Sequence, residues 1–133
     1  MKGNDLIKIS DGQMNSEEYF SQLIEEFPDL RDELNEWESD MIFFKMELFA
    51  EYTIDQIKSG NKEKLIKCLE FQESKIDFVD TLLINAMTVS YCEALLLGEC
   101  SQQMDQVVDL MGPKLKMLYN DYETYYNNLG KKK

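Results

Sequence analysis

Histidine is absent from the chain, and Arg31 is the single guanidinium among fourteen basic residues. The first absence removes the commonest general base, the usual metal-binding nitrogen and the triad imidazole together. The second removes the planar fork that grips phosphates and base edges. With a net charge of −12, it argues against nucleic-acid binding. The same charge repels anionic lipid, so no membrane-surface role is expected. Six glycines and two prolines are too few for a turn-rich β-sandwich. The glycines stand singly, and no GxGxxG or GxxxxGK phosphate loop exists.

Cys68, Cys92 and Cys100 form no CxxC pair and are odd in number, which fits neither a zinc site nor a disulfide framework. The first two sit inside apolar helical patterns and read as buried thiols of a reducing compartment. Residues 1–13 lack the apolar run of a signal peptide, so the cytoplasm is the expected location. There is no EF-hand loop and no Glu-x-x-His pair, so neither metal nor cofactor is expected. Ser90 and Cys92 lie on a helix rather than on a strained turn, with no base placeable beside them. No catalytic residue is assigned, and the protein is expected not to be an enzyme.

What is present points to an all-α, single-domain irregular bundle or helical-hairpin stack of about six to seven helices. Residues 1–14 read as a flexible lead-in, 15–130 as the helical domain and 131–133 as a basic tail. Asn15, with Glu18 three residues on, opens a helix over 16–26, whose apolar positions Tyr19, Phe20, Leu23, Ile24 and Phe27 share one arc. Pro28 suits the first turn of a short second helix. Ser39 and Asp40 are placed to cap a third, over 41–58, that ends at Gly60. Asn61 starts a fourth to about residue 74. The span 78–97 is apolar enough to consider as a membrane helix, but Asp80, Asn85, Ser90 and Glu93 interrupt it and favour a core helix. A sixth helix is expected over 102–111 and a seventh after Pro113.

The acids are concentrated. Between Asn15 and Asp40, ten carboxylates face one base, Arg31, which gives that fifth of the chain a charge of −9. Asp29, Asp32, Glu33 and Glu36 fall at i, i+3, i+4 and i+7, one helix face. With Glu25, Glu26 and Trp37 they form the candidate partner-binding surface, a hydrophobic anchor ringed by charge that suits a basic protein partner. The plain alternative is a solvated face that keeps the protein soluble. Asn85, Ser90 and Glu93 form a second polar set, either a core network or the lining of a pocket in a small-molecule-binding or enzymatic helical domain, the alternative reading of the chain. Tyr119, Tyr122 and Tyr126 read first as core, and alternatively as the anchors of a structural homodimer.

Three segments occur in order: Phe27-Pro28-Asp29-Leu30, then Phe49-Ala50-Glu51-Tyr52-Thr53 running to Gly60-Asn61, then Asn85-Ala86-Met87-Thr88-Val89-Ser90-Tyr91-Cys92-Glu93-Ala94-Leu95. This succession resembles an uncharacterised family of small bacterial all-helical proteins with the patterns FPEL, FAxYT and NAxxVSFLExL, over roughly residues 17–120. The resemblance implies a helical bacterial domain and no established activity. Asn85, Ser90 and Glu93 match it, whereas Ala94 stands where the family often carries histidine, so no imidazole role carries over. By analogy with other proteins of this size and kind, the function expected is that of an immunity-type inhibitor. Its acidic helix face would meet a basic toxin.

Overall fold

The computed structural model describes residues 10–130. Helix α1 (Ser16–Glu26) starts where expected, with the Asn15 side chain accepting a hydrogen bond from the Glu18 amide at 2.9 Å. It ends at Phe27, whose N–H bonds the Leu23 carbonyl. Pro28–Leu30 form one 3₁₀ turn that passes into the short α2 (Arg31–Asn35). The long α3 (Ile42–Ser59) stops at Gly60, which takes the left-handed conformation (φ 74°) that glycine adopts without strain. Its start differs from expectation. Met41 occupies the N-cap and neither Ser39 nor Asp40 caps it by a side-chain bond.

Helix α4 (Lys62–Lys75) is capped by Asn61, as expected. The apolar span does not begin at residue 78, because Asp80 caps the Leu83 amide and α5 (Thr81–Ala86) starts there. It continues into a π-helical segment, Met87–Cys92, and then α6 (Glu93–Leu97). A 3₁₀ turn (Ser101–Gln103) leads to α7 (Met104–Val108), shorter than expected, and the chain closes with α8 (Pro113–Gly130). Counting the Thr81–Leu97 rod once, seven helical segments make an all-α domain with no strand among the described residues. No single helix among them is long and apolar enough to cross a membrane, and the apolar rod bends by 93° into the next segment.

Part of the expected lead-in is held. Met14 N–H bonds the Phe78 carbonyl, the Asp80 amide returns to Met14, and Ser10 bonds Thr81 and Val79. Residues 1–9 and the basic tail 131–133 lie outside the described residues.

Aromatic rings from four elements make the core. Phe27 packs on Phe49 (5.7 Å), Tyr52 (5.5 Å) and Phe71 (6.1 Å), and Phe49 meets Tyr91 at 5.2 Å. The three sequence motifs therefore converge on one cluster, with Phe71 of α4 edge-on to Phe49. Two buried polar ties cross it. Tyr91 Oη lies 2.7 Å from Thr53 Oγ1, and Thr53 donates to the Phe49 carbonyl at 3.0 Å, so Tyr91 supplies the proton between them. Tyr19 donates to Gln72 Oε1 at 2.5 Å.

A carboxylate from α4 anchors α8: Glu73 accepts from the Lys114 and Leu115 amides at 3.1 and 2.8 Å. Any side chain at Gly112 would collide with the Glu73 carboxylate. All three cysteines are buried and unbridged, and burial pushes the Cys68 thiol up to about 11.

Tyr19→Phe leaves a fully buried Gln72 oxygen without its donor. It is expected to cost about 1–3 kcal/mol in urea denaturation. The pair Tyr19→Phe with Gln72→Met, which removes both polar ends, is expected to recover part of that loss.

Candidate functional site

Two walls enclose an acidic cleft. On α3, Glu47, Glu51 and Asp55 recur every four residues and so form one stripe. Opposite them, the π segment and α6 present Ser90 and Glu93, and Glu99 follows at the end of the groove. Ile54, Val89, Ala94 and Leu97 supply the apolar lining of a cleft of about 680 Å³. Five carboxylates line this space. Of these five, only Glu99 has a lysine within ion-pair reach among the described residues, Lys58 at 3.0 Å, and that pair is largely exposed.

The crowding has an electrostatic consequence at the middle of the stripe. Partial burial, then Glu47, Asp55, Glu33 and Glu99 in that order, raise the Glu51 carboxyl above its usual range. Glu33 belongs to α2, so the acidic helix face expected from the sequence adds its field to the cleft. On the far side Glu93 lies against Tyr122 of α8. Burial first, and then that carboxylate, push the phenol up to about 12.

The seven residues expected to form one partner surface occupy different surroundings. Glu25 and Glu26 border a hollow shared with Lys67 and Lys75. Asp29 has Lys64 at 3.7 Å across an exposed gap. Asp32, Glu33 and Glu36 are exposed on or just after α2. Trp37 is 38 % exposed and leans on Phe44, ring centroids 4.4 Å apart. Of the second set, Ser90 and Glu93 line the cleft and Asn85, nearer the start of the rod, does not. Tyr119 and Tyr122 are buried, whereas Tyr126 is exposed.

The residues that sequence reasoning missed are Glu47, Glu51, Asp55 and Glu99. A signal for the first three existed, since their i, i+4, i+8 spacing marks a single helical stripe.

A carboxyl whose pKa is higher folded than unfolded holds its proton longer in the native state. Its repulsion is absent below the unfolded value, about 4.3, and fully present above the folded one, so stability falls as pH rises through that window. Glu51→Gln is therefore expected to stabilise the protein at pH 7. The gain should be only about 0.5 kcal/mol, because solvent screens this exposed group. Urea denaturation at pH 7 and at about pH 4 checks it: the gain should vanish at the lower pH.

No curated protein and no solved structure matches the chain. A family model does, over residues 20–127, and this covers the α1 core, both walls of the cleft and most of α8. The chain belongs to that family, a domain of unknown function (DUF7674).

Proposed function

We propose that the protein is a non-catalytic binding module whose acidic cleft receives a cationic segment of a protein partner. In its most concrete form it is an immunity-type inhibitor that covers the substrate-binding cations of a basic bacterial toxin, in the cytoplasm. The observation that carries this reading is the convergence of five carboxylates on one groove with a single lysine paired at its edge. Low-dielectric walls focus such a field, and a lysine or arginine entering the groove would relieve the repulsion among Glu47, Glu51 and Asp55. A protein partner is favoured because the acids continue outward through Glu33 to Asp32, Glu36 and the half-exposed Trp37. Trp37 is placed to slow dissociation while the carboxylates speed encounter.

A second reading rests on Ser90 and Glu93 lining the same cleft. Its volume accepts a small polyamine, whose spaced ammonium groups could meet both walls.

Affinity capture from the native host, followed by titration with the purified basic protein retained, tests the first reading. Affinity is expected to fall at least tenfold between about 50 and 300 mM salt. The triple reversal Glu47→Lys, Glu51→Lys, Asp55→Lys is expected to weaken it by about a hundredfold or more, while Glu25→Lys with Glu26→Lys changes it by less than about threefold. Binding that ignores salt and survives the cleft reversal contradicts the reading. Saturable binding of spermidine, lost in the same triple variant, with no basic protein retained, supports the second.

A further inference from the structure

Helix α3 carries a second polar group on its other side. Lys45 lies two residues before Glu47, so the two side chains leave the helix about 200° apart. Lys45 is only 8 % exposed, and its ammonium stands 5.6 Å from the centre of the Phe20 ring. Among the described residues it has no carboxylate within ion-pair distance. Tyr52 Oη is the one side-chain polar atom there that is sealed from solvent without a partner, so the ammonium opens outward. It opens into a hollow of about 340 Å³ between α1, the turn after α2 and the start of α3.

We propose that this hollow is a binding site for a free amino acid with an apolar side chain, independent of the acidic cleft. Four features select that ligand. The tip of an otherwise buried lysine, with only an aromatic face beside it and no carboxylate paired to it, calls for an anion, and a carboxylate fits the hollow. Glu17 lines the same hollow without pairing with Lys45, so opposite charges stand at separate points of one small space. A ligand carrying a carboxylate and an ammonium on one carbon answers both. Ile24 and the edge of Phe20 supply apolar lining for its side chain. The net charge also decides: the segment around the hollow carries −9, which repels phosphate and other polyanions but not a zwitterion. The volume is at the small end of ligand pockets, suited to one amino acid rather than a peptide.

The test is a ¹H–¹⁵N NMR titration of the full chain with L-leucine, isovalerate, isoamylamine and inorganic phosphate. Leucine is expected to shift the amides of residues 16–24, 35–39 and 45 saturably. Isovalerate and isoamylamine, each lacking one charge, should bind about tenfold more weakly or worse, and phosphate should not bind. Lys45→Met is expected to abolish the leucine response without lowering the melting temperature, because it exchanges an unpaired charge on a buried stem for an apolar chain of similar length. Glu17→Gln, at an exposed position, is expected to weaken binding about tenfold in a folded protein. Glu51→Gln, in the cleft, should leave it unchanged. The absence of saturable shifts at about 50 mM leucine would overturn the proposal. So would leucine binding that survives both Lys45→Met and Glu17→Gln, or isovalerate binding as tightly as leucine.

Discussion

The hydroxyl pair of Tyr91 and Thr53 ties together the two walls between which the acidic cleft lies. Both residues are fully buried, so neither oxygen can turn to water if the other moves away. Their contact joins α3 to the π segment at one register, and Phe49, its ring tilted against Tyr91, fills the space around it. With Thr53 turned inward, Glu51 and Asp55 on either side of it point to the outer stripe. With Tyr91 turned inward, its neighbour Ser90 reaches the cleft edge, and Glu93 follows. The geometry of the polar surface is thus a consequence of how the aromatic core closes.

That closure sets like charges against one another. Each like-charged pair four residues apart on α3 destabilises the helix by a few tenths of a kcal/mol. The aromatic cluster and the long apolar interface tolerate this, since a single buried aromatic contributes several times as much. The opposite side of α3 reverses the situation, with one unpaired ammonium on a buried stem facing a small hollow. One helix therefore presents an anionic groove and a cationic niche on different faces, and the same core holds both in place.

Much of the fold was legible in the residues. Asn15, Pro28, Gly60 and Asn61 each marked an element end through local chemistry that needs no tertiary context, and each end lies where that chemistry put it. The start of α3 was not legible, because Ser39 and Asp40 have the right composition for a cap but the chain uses Met41. Nor was the π segment, since a widened turn leaves no mark in hydrophobic periodicity and changes which residues share a face. For this reason the polar set Asn85, Ser90 and Glu93 does not stay together on one face, and only the last two line the cleft. The acidic charge was visible, but counting it along the chain favoured residues 15–40. The cleft is assembled from residues 47–55 and 90–99, which are far apart in sequence and meet through contacts such as Thr53–Tyr91 and Phe49–Tyr91. Lys45 gave no signal at all, because one lysine in an apolar stretch resembles any snorkelling surface lysine until Phe20 is seen beneath it.

The central claim is that the folded chain presses carboxylates together across this groove. The most direct test is the pH titration of the Glu51 side-chain carboxyl carbon by NMR. The account predicts a midpoint above the ordinary value of about 4.3, moving back toward it in Glu47→Gln and in high salt. A midpoint at or below that value, indifferent to both changes, would contradict it.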